Sequence, residues 1–155
     1  MSFGDWILAL HVLSAFALVA SMVLFWVLVI ATRTLTDVDA RITYGRVGDL
    51  GGKVIGVGFF GTIVFGIWLA FLKDSYAIWD GWIVAAIILW VIGGYTGGRA
   101  GAEYQNILDR ARELKSSGEP AQPGEFRSSS GELMLAISSL AILLILIDMI
   151  WKPGA

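Results

Sequence analysis

The sequence predicts an all-α protein, a bundle of four transmembrane helices, and three observations predict it. Apolar residues make up 57% of the chain and charged residues only 15%, where a soluble domain of this size carries about a quarter charged. Four stretches, 6–31, 54–72, 81–98 and 133–147, contain no Asp, Glu, Lys or Arg. The connections between them alternate between strongly and weakly basic. Each stretch supplies most or all of the roughly 20 apolar residues that cross a bilayer as a helix. In hydrocarbon a helix satisfies its backbone amides within its own segment, which irregular chain cannot do. At 155 residues the chain has room for a single membrane domain.

The first span, about 6–31, follows an N-terminus without lysine or arginine. It is longer than the roughly 7–15 apolar residues of a signal-peptide core, so it is expected to be retained. The second, about 54–72, is preceded by a polar connection carrying Arg33, Arg41, Arg46 and Lys53. A short connection at Lys73-Asp74-Ser75 leads to the third span, about 79–98. Beyond Arg99 the helical pattern persists, with Ile107, Leu108, Ala111 and Leu114 on one side. The third span is therefore expected to continue as an amphipathic cytoplasmic extension over 99–115. Residues 116–131 carry Pro, Gly and Ser without periodicity and read as a flexible linker. The fourth span, about 133–151, tolerates Asp148 near its end.

Orientation follows from the charges. The first and third connections hold nine Lys/Arg, the latter contributing Arg99, Arg110, Arg112, Lys115 and Arg127, against only Lys73 and Lys152 on the other side. The positive-inside rule places the basic loops in the cytoplasm and both termini outside. Trp6, Trp68, Trp79, Trp82 and Trp151 all fall near the outer interface, where indole rings prefer to sit.

Composition also narrows the chemistry. The chain has no cysteine, which excludes disulfides, thiolate metal sites and cysteine nucleophiles. A net charge of −2 offers no basic face to nucleic acid. With one histidine there is no bis-histidine haem ligation within the chain, and Ser14 beside His11 makes no hydrolase triad. Glycines are concentrated in the second span, including Gly52, Gly56, Gly58 and Gly61, and around Gly94 and Gly98 of the third. Glycine lets two helix backbones approach closely. The two glycine-rich ends could therefore pack together, bind a partner helix, or present a smooth surface to a flat cofactor.

His11 lies inside the first span on a stripe with Ser14, Ala15, Leu18, Ser21 and Met22, a small and weakly polar face suited to other helices. An ionisable residue in a membrane is a functional candidate, since lipid offers it no partner. Neutral imidazole can ligate haem iron, or it can simply bond a neighbouring helix. Asp148 is the second intramembrane ionisable group. It could orient the His11 ring or pair with Lys152 four residues on.

The opening run WILALHVLSAFALVASMVLFWVLVIATR resembles the first span of a bacterial group of four-helix membrane proteins of unknown function. That group is similar to the copper-resistance protein D family and to the membrane protoporphyrinogen-oxidase-like J family. The match lies in Leu10-His11, the small residues of 14–20, and Arg33. The resemblance implies a bacterial cytoplasmic membrane and, from the J-type relatives, haem b with His11 as axial ligand. Those relatives draw a second ligand from a lysine in a later span. Here Lys53 and Lys73 stand at opposite ends of span two, and the enzyme activity is not transferred.

Three functions are therefore expected in order. The first is a non-catalytic accessory or helix-packing subunit, embedded in lipid beside other membrane subunits or copies of itself. The second is a haem b-binding redox protein using His11 with Asp148, and the third a small transporter.

Overall fold

In the computed structural model, which describes residues 2–72 and 79–152, four helices account for most of the described residues. They are α1 (Phe3–Thr32), α2 (Val38–Leu72), α3 (Gly81–Ser117) and α4 (Ser129–Trp151). All four are long and apolar enough to cross a membrane. The expected short connection at Lys73 lies outside the described residues.

Local chemistry sets where the helices start and stop. The Ser2 hydroxyl accepts from the Asp5 N–H at 3.3 Å while the Asp5 carboxylate accepts from the Ser2 N–H at 2.6 Å, a reciprocal cap on α1. Asp37 caps α2 by accepting from the N–H groups of Asp39 and Ala40. Gly118, at φ 72°, ends α3 in the left-handed conformation that glycine adopts without cost. Ser128 opens α4 by accepting from the Gly131 N–H at 3.0 Å.

The helices are longer than the sequence spans. At 35 and 37 residues, α2 and α3 reach about 52 and 55 Å, well beyond a hydrocarbon core of about 30 Å. The polar connection before the second span is thus mostly helix, because its apolar Val38 and Ile42 recur at helical spacing and find a partner in the α3 extension. The two overhangs run antiparallel at the end that holds the basic connections, here called the basic end. There Leu108 and Ala111 are fully buried, and Leu114 nearly so. Gly45 and Gly48 leave room for Leu108 and the Tyr104 ring respectively.

The segment after α3 is more structured than its composition suggests. Phe126 is 4% exposed and packs with Ala111 and Leu114. Glu125 is held by Arg110 at 2.9 Å and by the Gln122 N–H at 2.8 Å. That backbone bond first, and Arg110 second, hold the Glu125 carboxyl below its ordinary range.

Packing divides the bundle into two antiparallel hairpins. α1 lies along α2 and α3 along α4, while α2 meets α3 over a shorter stretch and α1 touches α4 least. The first hairpin is closed by small residues: a Cβ on Gly58 would come within 2.8 Å of the backbone of Ser14 and Leu18, and Gly61 faces the Ser14 hydroxyl. The second is closed at Gly93, whose carbonyl accepts from the Ser138 hydroxyl at 2.9 Å. Large apolar side chains such as Val57, Phe16 and Leu13 point outward, as lipid-facing residues do. Of the five tryptophans assigned to the interface, Trp6, Trp68, Trp79 and Trp151 are exposed, but Trp82 is buried, its ring beneath the Lys152 ammonium at 5.5 Å.

Candidate functional site

His11 and Asp148 do not come together. His11 Nδ1 is 2.9 Å from the carbonyl oxygen of Thr62 on α2. Gly66, one turn further along α2, leaves room for the imidazole edge at 3.0 Å from where its own Cβ would stand. The histidine is therefore seated within the first hairpin. Two polar links set the α1–α4 register: Trp26 Nε1 donates to Ser139 Oγ at 2.9 Å, and Arg33 pairs with Glu132 at 2.9 Å. Both put Asp148 level with Ala17, six residues along α1 from His11, or about 9 Å. Among the described residues Asp148 Oδ2 is buried without a hydrogen-bond partner. Neither His11 nor Lys152 forms an ion pair with it.

The glycines separate into two groups. Gly58, Gly61 and Gly94 stand at close contacts, the last against the Phe59 ring. Gly52, Gly56 and Gly98 do not, since a Cβ on any of them would meet nothing within 4 Å. These three, with Gly101, line a cavity of about 410 Å³ between the two hairpins. The GxxxG pair Gly52/Gly56 thus floors an open space. The reason is geometric: α2 gives its close-packing face, through Gly58 and Gly61, to α1, which turns the Gly52/Gly56 face toward α3.

All four helices contribute to the cavity. Its inner end is walled by Leu18, Ile142 and Phe59, whose ring stacks on Trp90 at 4.2 Å. At the basic end it is bordered by Arg33, Arg41, Arg127, Glu103 and Glu132. Glu132 takes both Arg33, at 2.9 Å, and Arg127, at 3.5 Å. Glu103 accepts from the Ser128 hydroxyl at 3.0 Å. Arg41 is different: it is 1% exposed, donates from Nη1 to the Tyr104 hydroxyl at 3.3 Å, and lies over that ring at 4.7 Å. Its Nε has no partner, and among the described residues no carboxylate pairs with it.

By sequence Arg41 is one basic residue of the polar connection before the second span. The signal that could have found it is the glycine stripe itself, since Arg41, Gly45, Gly48, Gly52 and Gly56 recur at helical spacing. Followed back from the span, the stripe ends on a buried guanidinium.

The geometry also bears on haem. His11 is not among the residues lining the cavity, so a haem between the hairpins would take no axial ligand from it. No group of three or more His, Cys, Asp or Glu residues stands together among the described residues. Compared with known protein families, curated proteins and solved structures, the chain matches none.

Proposed function

We propose that this chain is a non-catalytic integral membrane protein that holds a small, largely apolar ligand between its two hairpins. The observation that carries the reading is the glycine floor of the cavity. Gly52, Gly56, Gly98 and Gly101 line it and touch nothing that would need the absence of a side chain. What their lack of a side chain preserves is volume, and volume on the order of 300–1,000 Å³ lined by apolar groups suits one small molecule.

A partner helix fits less well. One turn of helix about 10–12 Å across displaces on the order of 400–600 Å³, so the cavity of about 410 Å³ would take no more than a single turn. An accessory role within a larger assembly remains compatible with this reading, with contacts made through the lipid-facing surface.

The test fills the space without touching the packed faces. Oleyl alcohol, an uncharged single-chain probe, is titrated into the purified chain in nonionic detergent and bound copies are read by native mass spectrometry. The parent is expected to take up the probe. The Gly56→Leu/Gly98→Leu variant is expected to keep its thermal midpoint and lose the bound probe. Equal uptake by both would sink the proposal.

A further inference from the structure

We propose that the cavity takes an amphiphile with one acyl chain and an anionic head, the head seated on Arg41 at the basic end. The inference rests on the binding role proposed above and names the ligand class. Its first support is the state of Arg41. A charge removed from water is costly unless paired and hydrogen-bonded. Arg41 is 1% exposed, yet it has only a tyrosine hydroxyl and a tyrosine ring as partners, with Nε unsatisfied and no carboxylate beside it. An oxyanion at the cavity mouth would lie beside Arg41, which lines the cavity, and would neutralise the guanidinium through charge-assisted bonds. Guanidinium groups recognise carboxylate and phosphate through such charge-assisted bonds.

The second support is the balance of charge around the mouth. Arg33 and Arg127 share a single carboxylate, Glu132. Together with Arg41, three arginines border the cavity against two glutamates, Glu103 and Glu132. The surplus is positive and falls at the end where an amphiphile's head would lie.

The third support is shape. From Arg41 the cavity runs between the glycine faces of α2 and α3 toward Phe59 and Ile142, an apolar path with no side chain at Gly52, Gly56, Gly98 or Gly101. A flexible acyl chain can lie against exposed helix backbone there, and a volume of about 410 Å³ matches one chain better than a whole two-chain lipid.

The experiment compares oleate with oleyl alcohol, which share a chain and differ in the head. Both are titrated into the purified full chain under conditions where the carboxylate is ionised. Oleate is expected to bind about tenfold or more tightly than the alcohol, the scale of one charge-assisted hydrogen-bond set. Arg41→Gln is expected to erase the difference, while Arg46→Gln, on the same helix but not lining the cavity, retains it. Equal binding of the two probes to the parent, or preserved discrimination in a folded Arg41→Gln, would overturn the assignment. The parent comparison stands even if Arg41→Gln does not fold. The outcomes also separate the two proposals. Equal uptake of both probes that Gly56→Leu/Gly98→Leu abolishes leaves the binding role intact and removes Arg41 from it, whereas no uptake of either removes both.

Discussion

At the scale of single residues, glycine has two uses in this chain, and a methyl group distinguishes them. At Gly58 an added Cβ would sit 2.7 Å from the Leu18 nitrogen and 2.8 Å from the Ser14 carbonyl, both backbone atoms that cannot swing aside. Gly58→Ala must push α1 away from α2 and is expected to cost about 1–3 kcal/mol, the scale of overpacking. At Gly56 nothing lies within 4 Å, so Gly56→Ala should be neutral or gain up to about 1 kcal/mol from helix propensity. Unfolding of the two variants in mixed detergent micelles checks this, and a larger loss at Gly56 than at Gly58 would contradict the packing described here. Sequence alone could not assign the two roles. Gly52/Gly56 has the spacing of a helix-packing motif, but spacing does not say which face of α2 meets α1. His11 was legible as a residue turned toward another helix, and its partner proved to be the Thr62 carbonyl on α2.

At the scale of elements, the connection between α3 and α4 shows how one side chain can organise a segment that has no periodicity. The stripe Ile107, Leu108, Ala111 and Leu114 was legible because it repeats, and it does form the buried face of the α3 extension. Phe126 was not legible, since a lone aromatic among Pro, Gly and Ser gives no period to detect. Its ring nevertheless completes that face, and Phe126→Ala is expected to cost about 3 kcal/mol or more, read as a lower thermal midpoint. Glu125, beside it, adds a pH dependence. Its carboxyl is pulled below its ordinary value of 4.5 by the Gln122 N–H and then by Arg110. A folded value below the unfolded one means the contribution is present above 4.5 and lost as pH falls through the lowered value. The midpoint gap between the parent and Glu125→Gln should therefore be present near neutrality and close in acid. A gap that persists unchanged in acid would show that the carboxylate is not responsible.

At the scale of the whole molecule, the four spans were legible because apolar length and the absence of charge are properties of the chain itself. The hairpin arrangement was not, because it depends on which face each helix gives to its neighbour. Neither was the α1–α4 register, set by Trp26–Ser139 and Arg33–Glu132. The sequence left Asp148 free to orient the His11 ring, whereas that register offsets the two by six residues. The charges give an expected direction for a bundle whose four helices are long and apolar enough to cross a membrane. Nine of eleven Lys/Arg lie in the first and third connections or on the helices that overhang there, and by the positive-inside rule that end is expected on the cytoplasmic side. The cavity mouth with Arg41 would then open toward the cytoplasmic leaflet. Because the chain has no native cysteine, single-cysteine variants report this cleanly. A membrane-impermeant maleimide added to intact cells is expected to label Ser2→Cys, at the start of α1, and to leave Ser117→Cys, at the end of α3, unreacted until the membrane is broken. The inverse pattern would turn the bundle over and place the basic mouth of the cavity outside. Labelling of both sites in intact cells would mean that the α3 overhang does not lie on the side opposite the N-terminus.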